Sequence, residues 1–124
     1  MANELILIVE DNEKNRKLVR DVLLFKGYRI AEAETGEDGV RLARELLPAL
    51  ILMDIQLPGI SGIAALGQIR ADEATRAIPV IAVTASAMTT DRSKILAAGF
   101  DGYQSKPINV KAFVAAVQHA LEGP

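Results

Sequence analysis

Polar residues stand at the ends of otherwise apolar stretches in this chain. Glu10 and Asp11 follow "LILIV" (5–9), and Asp54 closes "LILMD" (50–54). Thr84 ends "PVIAVT" (79–84), and Ser105, Lys106 and Pro107 end "DGYQSKP" (101–107). If those ends meet, three carboxylates share one site. Each pair costs about 4 kcal/mol at ~4 Å and an effective dielectric of ~20. A cation must offset that cost, or a proton must be taken up. The ligands are hard oxygens with no His or Cys among them, which points to Mg²⁺, with Mn²⁺ and Ca²⁺ as further candidates. Mg²⁺ keeps several waters and takes one or two carboxylates plus a substrate phosphate. Lys106 suits a phosphoryl oxygen as a point charge, and Thr84 offers one hydroxyl donor. A carboxylate can act as a nucleophile and form an aspartyl-phosphate, with metal and lysine stabilising the transferring group electrostatically.

The elements that must position these residues are legible as alternating strands and helices. "LILIVE" (5–10) reads as a buried strand, and "NEKNRKLVRDVLLFKG" has helical periodicity with Gly27 as its stop. "YRIAEA" (28–33) alternates like a strand. "TGEDGVRLARELLP" opens with Thr35 and Asp38 at capping-box spacing and closes at Pro48. After "LILMD" come the helix candidate "IAALGQIRAD", the strand "PVIAVTA" (79–85) and the helix "TTDRSKILAAGF", which stops at Gly99. "DGYQSK" (101–106) is a weak strand. "NVKAFVAAVQHALEG" is the last helix, with Asn109 as N-cap and Gly123 past its end. Five β-α units with apolar strands imply a parallel sheet covered by helices on both faces. Right-handed crossovers make it an α/β doubly wound five-stranded sheet, with order 2-1-3-4-5 expected, as in flavodoxin-like folds. Ligands in such sheets bind beyond the carboxyl ends of the strands, where Glu10, Asp11, Asp54, Thr84 and Lys106 fall. Asp54 closes a buried strand because the strand aims it rigidly into that crevice.

The totals set bounds. The chain has 124 residues, half of them hydrophobic, enough for one domain with a real core. Its formal charge of −2 favours neither nucleic acid nor an acidic membrane surface. With no cysteine, disulfides, thiolate metal sites and cysteine nucleophiles are excluded. The apolar run Leu5 to Val9 is too short for a signal-peptide core, and no run approaches a membrane span. A cytoplasmic setting is expected.

At these residues the sequence resembles a response-regulator receiver domain, over essentially its whole length. The matching strings are "LIVEDN", "LILMDIQLPGISG", "IPVIAVTA" and "SKPI", in the family's order and spacing. The resemblance implies that Asp54 is the phospho-acceptor. It implies Asp11, Asp54 and the main-chain carbonyl of Gln56 as Mg²⁺ ligands, with Glu10 acting through a water. Lys106 would pair with the phosphoryl group, with a cis peptide before Pro107. Thr84 would be the switch hydroxyl, and Tyr103 the aromatic that moves inward with it. Implied partners are a histidine kinase or histidine phosphotransferase, and a downstream protein on the face of the fourth helix, fifth strand and fifth helix. "VEDNEKNRKLV", "MDIQLPGISG" and "VTASAM" look closest to single-domain regulators of the DivK type, while receivers of hybrid histidine kinases use similar strings.

Simpler readings compete at each position. Glu10 and Asp11 could be a solvated turn, with Asp11 or Asn12 an ordinary N-cap. Asp54 could cap the loop "LPGISG", Thr84 could be a strand residue, Lys106 a surface lysine and Tyr103 a half-buried core aromatic. His119, the only histidine, lies near a helix C-terminus, where a cation complements the dipole. Pro58, Gly59 and Gly62 shape the loop after Asp54. Gly36 and Gly39 lack the lysine of a phosphate loop. Two other functions compete with this reading. An aspartate-nucleophile phosphatase would carry an acid two residues after the nucleophile, but this chain has Gln56, and an amide cannot shuttle a proton. A phosphorylation-independent binding module would be expected to have lost an acid or the lysine. No helix-turn-helix or basic recognition helix follows, so direct DNA binding is not expected. The expectation is a single receiver domain without an output domain, a monomer or weak dimer; a receiver excised from a larger regulator is the alternative.

Overall fold

A computed structural model describes residues 3–85 and 89–122, with backbone only for 89–92. Strands β1 (Leu5–Val9), β2 (Arg29–Ala33), β3 (Leu50–Asp54), β4 (Val80–Thr84) and β5 (Gly102–Ser105) alternate with helices. The helices are α1 (Glu13–Phe25), α2 (Gly36–Leu46), α3 (Gly62–Ala71), α4 (Thr89–Ala97) and α5 (Val110–Glu122). All strand pairs are parallel, in the order β2-β1-β3-β4-β5. That is the expected order. Ser86, Ala87 and Met88 of "VTASAM" and the expected stop at Gly123 lie outside the described residues.

The strands are apolar on both faces because helices cover both. Ile6, Ile8, Leu50, Leu52, Ile81 and Val83 pack with Val19 and Leu23 of α1 and Phe113 and Val117 of α5. Leu7, Val9, Ile51, Met53, Val80 and Ala82 pack with residues of α2, α3 and α4. Alternate residues along each strand thus serve opposite cores, as the two-residue repeat requires.

Helix ends follow local chemistry. The side chains of Asn12, Thr35 and Ser61 accept from Asn15, Asp38 and Ala64 N–H groups respectively, and Asn109 Oδ1 accepts from Ala112 N–H. In α2 the Thr35 half of the capping box forms, whereas the Asp38 carboxylate meets Arg41. The same helix ends at Leu46, two residues before Pro48. Leu47 takes a left-handed conformation at φ 47°, and its N–H donates to Ala43. A residue before proline is disfavoured in the right-handed helical region, which explains the early stop.

The amino end of the sheet, opposite the candidate site, is fastened by Arg70. Its guanidinium donates to the carbonyls of Arg76, Ile78 and Gly99 and to Asp101 Oδ2 at 2.7 Å. The same Asp101 oxygen accepts from Val80 N–H at the start of β4. Hydrogen bonds to charged groups contribute roughly 1.5–3 kcal/mol. Arg70→Ala is therefore expected to lower the unfolding free energy by about 2 kcal/mol, read from urea denaturation, with phosphoryl acceptance at the far end unchanged.

Candidate functional site

At the carboxyl edge, the face alternation carries three charged groups to one place. Glu10 continues Ile6 and Ile8, Asp54 continues Leu50 and Leu52, and Lys106 continues Gly102 and Gln104. Each therefore emerges on the side of the sheet covered by α1 and α5. Glu10 and Asp54 are buried, at 5% and 6% exposure. Lys106 Nζ lies 2.6 Å from Glu10 Oε1 and 3.0 Å from Asp54 Oδ2. The main chain fixes the other oxygens. Asn12 N–H donates to Glu10 Oε2 at 3.1 Å, and Gln56 N–H donates to Asp54 Oδ1 at 3.0 Å. The Lys106–Pro107 peptide bond is cis.

The electrostatics follow from burial and pairing. Desolvation pushes the Glu10 carboxyl up from its usual range, against the pull of Lys106 and the Asn12 N–H. Burial disfavours the Lys106 ammonium, but its bonds to Glu10 and Asp54 outweigh that and hold its pKa above the usual lysine value. Asp11 is exposed beside this pair. Glu10, Asp11 and Asp54 each offer an oxygen within 4.8 Å of the others. With all three ionised against one ammonium, the cluster carries a net charge of −2 (−3 + 1). A purely carboxylate donor set with that charge fits a hard divalent cation.

Thr84 and Tyr103 lie on the other face. Thr84 is buried at the end of β4, its carbonyl accepting from Lys106 N–H. Tyr103 is half-buried and packs against the core formed with α2, α3 and α4. Gln56 is exposed and directly follows the site through its N–H bond to Asp54. His119 is exposed in the last turn of α5, away from the acids.

The loop after Asp54 is shaped as much by space as by turn chemistry. Gly62 begins α3 against the backbone of Asp54 and Ile55. A Cβ there would collide with the Asp54 carbonyl oxygen and lie 2.8 Å from Ile55 Cα. Gly62 N–H also donates to Ile55 O at 2.9 Å. Backbone cannot yield as a side-chain tip can. Gly62→Ala is expected to cost roughly 2–3 kcal/mol and to slow phosphorylation as well. Denaturation and phosphorylation kinetics on the same sample would check both.

Two clamps escape sequence reading. Glu37, in the first turn of α2, accepts from Ile60 N–H at 3.3 Å and holds the β3–α3 loop. Arg16, in α1, donates to the main-chain carbonyl of Glu10 at 3.0 Å. Glu37 joins segments 23 residues apart, and Arg16, although it lies within the string "VEDNEKNRKLV", carries no sign in the sequence of the main-chain carbonyl it bonds.

The sheet, in the order 2-1-3-4-5, thus brings three acids and a lysine together at its carboxyl edge. The chain belongs to the response regulator receiver domain family, which it matches over residues 6–118. It is similar to the polar-differentiation response regulator DivK of Brucella ovis, at 47% identity over 116 residues covering 94% of each chain. Among solved structures it resembles a putative response regulator from Chloroflexus aurantiacus, at TM-score 0.93 and 27% identity over 97% of this chain and 98% of that one. It also resembles the receiver domain of a sensor histidine kinase from Pseudomonas aeruginosa PAO1, at TM-score 0.91 and 36% identity, covering 98% of this chain and 100% of the other. That receiver carries a magnesium ion coordinated in its active site cleft. Among the described residues of the present chain, no helix is long and apolar enough to cross a membrane.

Proposed function

We propose that this receiver accepts a phosphoryl group on Asp54 from a partner phosphohistidine, in a Mg²⁺-dependent reaction that switches a protein-binding surface. The observation that carries this is the pinning of Asp54 by Lys106 and Gln56 N–H beside Glu10 and Asp11. An Asp54 oxygen attacks phosphorus, the P–N bond breaks, and the imidazole leaves with the electron pair and takes up a proton. The product is an acyl phosphate. Mg²⁺, held there, would supply charge to offset that of the phosphoryl oxygens. Asp11, Asp54 and the Gln56 carbonyl are its proposed ligands, with Glu10 acting through a water, and Mn²⁺ is an expected substitute.

Lys106 is already desolvated and poised, so it can leave Asp54 for a phosphoryl oxygen while keeping Glu10. Thr84 and Tyr103, on the opposite face, would carry the change towards α4, β5 and α5, where a downstream protein would dock. Donors of the right class are a histidine kinase or a histidine phosphotransferase. Gln56 in place of a general acid–base argues for a slowly reset switch rather than a turnover enzyme. A cytoplasmic single receiver unit, monomeric or weakly dimeric, fits this role.

The test is intact mass after incubation with acetyl phosphate, with Mg²⁺ or with a chelator. One added phosphoryl group only with Mg²⁺ is expected. No gain by folded protein in Mg²⁺, or an equal gain in chelator, would contradict the reading and favour a phosphorylation-independent binding module.

A further inference from the structure

We infer that Arg16 is a positioning residue for the acidic cluster, holding the Glu10–Asp11 peptide so that both carboxylates are set for a divalent cation. The inference rests on the Mg²⁺ reading of that cluster. Arg16 lies in α1, and its side chain is only 14% exposed. Its Nε donates to Glu32 Oε1 at 3.1 Å, and its Nη1 donates to the Glu10 carbonyl at 3.0 Å. A longer contact of 3.5 Å runs from Nη1 to Glu34. Glu32 also accepts from Arg20 at 2.8 Å, so the carboxylate that orients Arg16 is itself fixed from two sides.

The consequence for the site is geometric. Glu10 N–H already donates to Ala33 O at 3.0 Å. The Arg16 bond to the carbonyl therefore pins the second peptide plane flanking Glu10. That plane is rigid and includes the Asp11 nitrogen and Cα, so fixing its oxygen fixes where Asp11 starts. Glu10 is then held to aim inward at Lys106, with Asp11 beside it at the mouth. A simple tie between α1 and β2 would not need Arg16, because the Arg20–Glu32 pair supplies one. What Arg16 adds is the bond to the Glu10 carbonyl.

Lysine at this position keeps the charge but replaces the planar fork, whose Nε and Nη1 reach Glu32 and the Glu10 carbonyl separately, with one flexible point of donors that no longer fixes the carbonyl's direction. Any change in metal affinity then comes from position and not from charge. Groups that orient metal ligands typically matter about 10- to 100-fold in affinity. Mg²⁺ titration of the folded, metal-free protein by calorimetry is the test, with urea denaturation alongside. Arg16→Lys is expected to weaken Mg²⁺ binding roughly tenfold. Arg20→Lys, which leaves the Glu10 contact, and Arg70→Ala, which destabilises the far end of the sheet, are expected to bind Mg²⁺ as the wild type does. Asp11→Ala serves as the test of the metal site itself. Wild-type affinity in Arg16→Lys, with affinity lost in Asp11→Ala, would overturn the role of Arg16 and leave the metal reading standing. Equal weakening in Arg16→Lys and Arg70→Ala would reduce Arg16 to a stability residue. Unchanged affinity in Asp11→Ala would remove the metal reading and this inference with it. Should Arg16→Lys not fold, Glu32→Gln loosens the same guanidinium from its other side; weaker Mg²⁺ binding is expected, and unchanged binding would overturn the proposal.

Discussion

Asp54→Asn is expected to abolish phosphorylation while leaving the fold intact. The change is nearly isosteric, but an amide is not a nucleophile towards phosphorus. The neighbours of residue 54 keep most of their bonds. An asparagine oxygen can still accept from Gln56 N–H, and Lys106 retains Glu10 at 2.6 Å. No buried ammonium is left without a carboxylate, so the heavy penalty for an unpaired buried charge is avoided. Intact mass after acetyl phosphate and Mg²⁺ should show no phosphoryl group on the mutant, with circular dichroism matching the wild type. Retention of one phosphoryl group would move the acceptor elsewhere.

Asp11→Ala is expected to separate metal binding from folding. Asp11 is exposed, and the N-cap of α1 is Asn12, so its loss takes little from the fold. A surface substitution of this kind changes stability by about 0.5 kcal/mol or less. The same change removes one of three converging carboxylates. If outer groups matter 10- to 100-fold, losing a direct ligand should raise the Mg²⁺ dissociation constant by roughly 100-fold. Phosphorylation should then require far higher Mg²⁺. Calorimetric titration beside a denaturation curve would measure both, and an unchanged dissociation constant would contradict the ligand assignment.

Glu10, Asp54 and Lys106 were legible in the sequence because each ends a strand-like run, and a two-residue repeat propagates side-chain direction to the strand end. The strand order needed no contact information, since β-α alternation and crossover handedness leave few arrangements. The N-caps at Thr35 and Asn109 were legible because capping acts over three residues. Asp38 was a partial miss, since its carboxylate found Arg41 one turn on instead of returning to the cap.

Arg16 and Arg70 were not legible, and the reason is physical. A guanidinium that bonds main-chain carbonyls leaves no mark on the residues it contacts, because every residue offers a carbonyl. The Arg70–Asp101 pair spans 31 positions and depends on how α3 docks beside β4 and β5. Gly62 was read only as a loop-shaping residue. Its close approach to the Asp54 carbonyl appears once the start of α3 is placed beneath β3.

The most direct test of the central claim is to locate the phosphoryl group chemically. Protein phosphorylated by acetyl phosphate in Mg²⁺ would be treated with borohydride, which delivers hydride to an acyl phosphate, expels phosphate and leaves an alcohol. Peptide mass spectrometry would then read the position. Homoserine at residue 54, with Glu10 and Asp11 unchanged, is the predicted result. Reduction at another acid, or a phosphoryl group that survives borohydride on a nitrogen such as His119 or Lys106, would contradict it.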